Sequence, residues 1–208
     1  MRRHVPLMTS IVFAAATVAQ AQAPAPKPIP APKTTSHSDS STTKSASSDQ
    51  DFAKKVAAGG MAEVELAKLA QQKAGSEDVK SLAARLEMDH MKANDELKAL
   101  ASKKGWDLPT APTPQQTAKK ESLEKLSGSA FDKQYVDLMV SNHRTNISAF
   151  ERQASKGTDA DLKEWASSTL PTLKTHLEMA TKAQKALGAS SSSKYSDKSK
   201  SAPTNPTK

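Results

Sequence analysis

Cysteine is missing from all 208 residues, which excludes disulfides, thiolate catalysis and thiolate metal sites. Any metal centre would have to use nitrogen and oxygen. Aromatic residues make up only 4% of the chain, too few to build a platform for stacking unpaired bases. Glycine numbers only 7, and no Gly-rich phosphate loop or Walker pattern occurs; nor does a Ser/His/Asp arrangement of the kind that activates a nucleophile. The alternation of polar and apolar residues that marks strands is absent as well.

The one long apolar stretch is N-terminal. Met1-Arg2-Arg3-His4 forms a positive start, Val5 to Val18 is apolar, and Ala19-Gln20-Ala21 supplies small residues for cleavage. This is the three-part pattern of a secretory signal peptide over residues 1–21, and a run of about 14 residues is short for a membrane span. The alternative is an anchor that stays uncleaved. No Cys follows it, so lipoprotein anchoring is excluded. A periplasmic or otherwise exported location is the expectation.

The net charge of +8 is unevenly spread. Residues 51–188 hold 21 Lys+Arg against 19 Asp+Glu, a net of only +2, and the excess lies in the ends. A nearly neutral body argues against nucleic acid as a partner. The basic ends leave weak attachment to an anionic envelope polymer as an expectation. Residues 22–50 are Pro/Ala-rich and then Ser/Thr-rich, and residues 189–208 are Ser/Lys-rich; both lack the apolar surface that offsets ordering entropy, so disorder is expected there.

Between these ends, apolar residues recur at three and four, the period of a buried helix face. The stripes predict helices over about 51–73 (Phe52, Val56, Leu66, Ala70), 77–103 (Val79, Leu82, Leu86, Leu97), 130–155 (Val136, Met139, Val140, Phe150) and 159–187 (Leu162, Trp165, Leu173, Leu177). Gly75-Ser76 and Gly157-Thr158 punctuate two short turns. Pro171 removes one backbone bond inside the last helix and predicts a kink near 167–170. The long segment from Gly105 to Ser129 holds Pro109, Pro112 and Pro114 and a short helical run near 115–126. The expected fold is all-α: a ferritin-like four-helix bundle of two antiparallel hairpins joined by a long crossover, with both short turns at one end. An up-down-up-down bundle with an oversized loop is the alternative.

Four residues on these stripes are polar. Glu63, His90, His143 and His176 each fall within about 40° of a stripe centre, one per helix. Counted from the turns at about 1.5 Å per residue, the first three share a level to within about 5 Å, and His176 lies about one helical turn beyond. Buried carboxylates and imidazoles persist when paired, hydrogen-bonded or ligating. Imidazoles with one carboxylate suit Zn(II), Cu(II), Ni(II) or Fe(II), so these four are the candidate metal ligands. The bland counterpart is a Glu–His hydrogen-bond network that fixes register and binds nothing. Glu87-x-x-His90 has the ligand spacing of carboxylate-bridged di-iron bundles, but Leu173 stands three before His176, which disfavours that chemistry. Asp89 and Asn142 precede histidines and could orient them, although surface-facing positions are preferred for both. Met61, Met88, Met91, Met139 and Met179 read as core filler rather than soft ligands. No catalytic residue is expected.

The runs from Ala57 to Ala70, Asp89-His90-Met91-Lys92-Ala93-Asn94, Ser127 to Asp132 and Thr169 to Leu177 resemble a large family of bacterial exported proteins, a domain of unknown function whose members are often labelled outer-membrane proteins. The resemblance covers about 51–188 and implies a ferritin-like bundle in the envelope, without an established activity. The family pattern carries Asp-His in both the second and third helices. Here the second pair is Asn142-His143, which weakens any role for an acid in the third helix.

Overall fold

The apolar stripes close on one another as five helices. The computed structural model describes the chain from Asp39 to Lys198, with side chains described over 48–188; the expected signal peptide, the Pro-rich stretch and the last ten residues lie outside the described residues. In order these are α1 (Asp39–Lys73), α2 (Glu77–Lys104), α3 (Pro114–Glu124), α4 (Gly128–Lys156) and α5 (Ala160–Lys198). No strand occurs among the described residues, and no described helix is long and apolar enough to cross a membrane.

Local chemistry accounts for the helix ends. α2 begins with Glu77 and Asp78 in its first turn and ends with Lys103 and Lys104, charges that complement the helix dipole. Gly105 then adopts φ 65°, the left-handed cap, and Trp106 N–H donates back to the Ala101 carbonyl at 2.9 Å. α3 is opened by Pro114 and by a reciprocal capping box between Thr113 and Gln116. α5 starts where Asp159 accepts from Leu162 N–H at 2.9 Å, and it continues through Pro171 as one helix.

Two boundaries differ from expectation. α1 begins at Asp39, within the stretch expected to be disordered, and Asp49 is only 2% exposed. The reason is a single carboxylate: Asp49 accepts from Thr158 N–H (3.0 Å), Thr158 Oγ1 (2.6 Å), Asp159 N–H (2.7 Å) and Gln153 Nε2 (2.8 Å). One acid thus ties α1 to the α4–α5 turn, in a segment whose composition is otherwise polar. At the other end α5 runs to Lys198, past the expected limit near 188.

The direction of the helices follows from contacts at the ends. Gly75, in the α1–α2 turn, donates to Asp132 Oδ1 at the start of α4 (3.0 Å). The α4–α5 turn instead meets Asp49 of α1, and Lys104 at the end of α2 pairs with Asp159 (2.6 Å) and Asp161 (2.8 Å). The two short turns therefore lie at opposite ends, not at one end as expected. α1 and α5 run one way, and α2 and α4 run the other. The long connection from α2 to α4 returns along the length of the bundle, because both of those helices start at the same end, and α3 lies against α1 on the way.

The apolar core falls into two parts. One, at the α1–α2 turn, contains Leu66, Leu82, Leu86, Phe131, Tyr135 and Met139. The other, at the opposite end, contains Ala53, Leu97, Phe150, Leu162, Trp165 and Leu173. Glu63, His90, His143 and His176 are buried between them. Gly60 allows the close approach of α1 and α2 at this level: a Cβ there would stand 2.0 Å from Asn94 Oδ1.

Candidate metal centre

Each polar side chain of the layer is held by a different helix: His90 and His143 at the middle of α2 and α4, Glu63 ten residues before the end of α1 and His176 sixteen residues after the start of α5. The end contacts set the register. His90 lies fourteen residues before Lys104, and His176 lies fifteen and seventeen residues after the two aspartates that pair with that lysine. At about 1.5 Å per residue the two imidazoles come level, which removes the one-turn offset expected for His176. Ring centroids are 5.7 Å apart for His90 and His143, 5.3 Å for His90 and His176, and 5.2 Å for His143 and His176. One nitrogen from each ring can be chosen so that all three lie within 4.8 Å of one another. Glu63 stands beside this trio rather than within it, with Oε2 2.9 Å from His90 Nε2.

The outer nitrogens of two rings are committed. His143 Nδ1 lies 2.9 Å from the Met139 carbonyl oxygen, and His176 Nε2 lies 2.8 Å from Asp89 Oδ2. A carbonyl and a carboxylate accept only, so both outer nitrogens carry the hydrogen. In the neutral rings the inner nitrogens, His143 Nε2 and His176 Nδ1, are then both bare. They face each other at 3.3 Å. Two lone pairs at that distance repel unless a proton or a metal cation sits between them.

The surroundings oppose the proton. Burial, reinforced by the positive His90, lowers the pKa of His143 against a partial pull from Glu63. His176 is driven down to about 4, chiefly by burial, with the Asp89 hydrogen bond acting against it and the His90 and His143 charges with it. His90 behaves oppositely: burial would lower it, but the nearby negative charge of Glu63, with a smaller contribution from Asp89, outweighs that and raises it. Burial would raise Glu63, yet His90, with help from His143 and His176, holds it at about 2. The layer is thus one ion pair, Glu63 with His90, beside two neutral imidazoles.

The ion pair is close but poorly aligned. His90 Nε2 is 2.9 Å from the Glu63 oxygen, yet no hydrogen bond forms in the direction the ring nitrogen points. The separation establishes the electrostatic attraction; the angle leaves the in-plane direction of a buried nitrogen without a partner. Tyr135 Oη and Trp165 Nε1 are also buried without a hydrogen-bond partner.

Asp89 proves to be part of the site, contrary to the preference for a surface position: it joins His176 to Arg85 and is itself held below the usual carboxylate range, burial being outweighed by those two hydrogen bonds. Asn142 makes no hydrogen bond to a histidine among the described residues. Asn146, one turn beyond His143, instead donates to Glu63 Oε1 over 3.5 Å. Its i+3 relation to His143 was the available signal for it. Glu87 turns away to Gln71 (2.6 Å) and Lys68 (3.8 Å), so the Glu-x-x-His spacing does not converge on the layer. Met139 is core filler, as expected; Met88 and Met91, 58% and 48% exposed, are not.

Among curated proteins none matches the chain. Two solved structures share its fold: a DUF305 fragment from Deinococcus radiodurans (14% identity, TM-score 0.58, covering 68% of this chain and 95% of that one) and a DUF305 protein from Streptomyces coelicolor, described as a candidate secreted protein (18% identity, TM-score 0.57, covering 67% and 92%). The match that spans most of the chain is at the level of sequence family, over residues 34–183, and by it the chain belongs to the family described as domain of unknown function DUF4142.

Proposed function

We propose that this is an exported, non-enzymatic helical bundle that binds one transition-metal ion through His90, His143 and His176, with Glu63 as neighbouring counter-charge and Asp89 orienting His176. The observation that carries the reading is the 3.3 Å gap between His143 Nε2 and His176 Nδ1, both left bare by their outer hydrogen bonds. Metal–nitrogen bonds of about 2.0–2.1 Å in tetrahedral geometry put ligand nitrogens roughly 3.3 Å apart, the separation found here. The Asp89–His176 bond has the carboxylate–histidine–metal form that fixes tautomer and ring orientation. An all-imidazole set suits Zn(II), Cu(II), Ni(II) or Fe(II).

Export rests on the sequence pattern of residues 1–21 and on the description of the Streptomyces protein as a candidate secreted one. The ferritin-like assignment is supported by two hairpins of opposite polarity and a connection that spans the bundle. A second reading, an envelope interaction or stress-protection module with a purely structural polar layer, draws on the Glu63–His90 pair, which could fix register unaided. Metal analysis of tag-free protein, followed by calorimetric titration with each of the four ions, separates the two. The metal reading expects one ion per chain and loss of binding in the His143→Ala/His176→Ala double variant. No binding by the wild type, or undiminished binding by that variant, leaves the structural reading standing.

A further inference from the structure

All three imidazoles are at most 7% exposed, so an ion can reach them only through a gap between elements. Among the described residues, two surface cavities flank α1. The larger, about 890 Å³ between α1, α2 and the connection after Gly105, is lined by none of the four layer residues. The smaller, about 500 Å³, is bounded by α1 (Lys54, Lys55, Gly59), α3 (Gln116, Lys119) and α4 (Asn142, Asn146), and Glu63 lines it. Glu63 is 3% exposed, and its Oε1 has as its one hydrogen bond the 3.5 Å contact from Asn146. One carboxylate oxygen therefore sits at the cleft wall, weakly satisfied, while the other touches His90 at 2.9 Å.

Resting on the metal reading above, we propose that this α1–α3–α4 cleft is the route by which a hydrated divalent cation reaches the histidines, with Glu63 as the first protein ligand it meets. Glu63 Oε1 replaces part of the ion's water shell, and the ion then passes to the bare nitrogens, His143 Nε2 and His176 Nδ1, while His90 joins them on releasing one ring proton to water. The amide oxygens of Asn142 and Asn146 supply neutral ligands along the way, while that of Gln116 is held in the capping box with Thr113. Lys54, Lys55 and Lys119 are the remaining charged residues of the cleft, and none has an ion-pair partner among the described residues. They repel a bare cation, so the route carries an electrostatic barrier that is screened by salt.

The test is the rate of Cu(II) uptake by the full mature chain, followed by visible absorbance after rapid mixing, beside the equilibrium affinity. Gly59→Leu plugs the cleft without a backbone clash, since a Cβ there meets only Gln116 Nε2 at 3.8 Å. Uptake by Gly59→Leu is expected to slow by about tenfold with the final stoichiometry unchanged. The Lys54→Gln/Lys55→Gln/Lys119→Gln variant is expected to take up the ion faster than wild type at low salt, the difference vanishing at high salt. Ala111→Trp, which fills the other cavity, leaves the rate as it was. Equal rates in wild type, the plugged variant and the lysine variant, with binding intact, overturn the route while sparing the metal site. Failure of the wild type to bind removes both. Where Gly59→Leu changes the affinity itself, the lysine variant decides, its substitutions being on surface side chains.

Discussion

His176 offers a quantity that can be worked out before any metal is added. Its folded pKa of about 4 lies below the unfolded value near 6.5, so the unfolded chain binds the extra proton between those limits and the folded chain does not. Stability contributed by the neutral ring is present above pH 6.5 and is lost as pH falls toward 4. Between about pH 7.5 and about pH 5 the linkage amounts to roughly 2 kcal/mol. His143 acts in the same direction. His90 acts against it, since its raised pKa adds stability as pH falls through that value, and Glu63 stays ionised in both states down to about pH 5. The wild-type profile is therefore a sum, and the His176 part is isolated by comparison with His176→Gln. Urea unfolding of the chelator-treated proteins at the two pH values should show the wild type losing about 2 kcal/mol more than the variant on acidification. Equal losses would refute the claim that His176 is held neutral by burial, and with it the argument for bare facing nitrogens.

Asp89→Ala should weaken metal binding by about 10- to 100-fold, measured by chelator competition, because it frees the His176 ring and its tautomer while leaving every ligand in place. Asp49→Ala should cost about 2–3 kcal/mol in chemical denaturation, as four hydrogen bonds to one buried carboxylate are lost together, and hydrogen exchange should rise at Thr158 and Asp159. Gly128→Ala should cost about 1–2 kcal/mol at equilibrium, since that glycine holds φ 55°.

The four layer residues could be located from the sequence because burial of a helix face repeats every 3.6 residues, and an inward His breaks that repeat visibly. Their common level survived a mistaken premise about the turns. His90 and His143 lie near the middle of α2 and α4, so for them the distance from either end comes out alike. What the spacing could not reveal was register between hairpins, which depends on Lys104 finding Asp159 and Asp161 across space. Asp89 was harder to place: it lies one residue, about 100°, from an inward histidine, at the border where a polar side chain can face either water or the next helix. Asp49 left no trace in composition, because a single buried acid among serines and threonines does not alter an average.

The layer draws two members from each hairpin: Glu63 and His90 from the first, His143 and His176 from the second. Packing within each hairpin is far more extensive than between them, so the seam between hairpins is where the bundle would part first. On the proposed metal reading, an ion held by His90 from one side and by His143 and His176 from the other would act there as a rivet. Loading would then be read far from the site, as slowed amide exchange along the whole seam, and removal of the ion would return to the molecule a freedom of its two halves that neither half possesses alone.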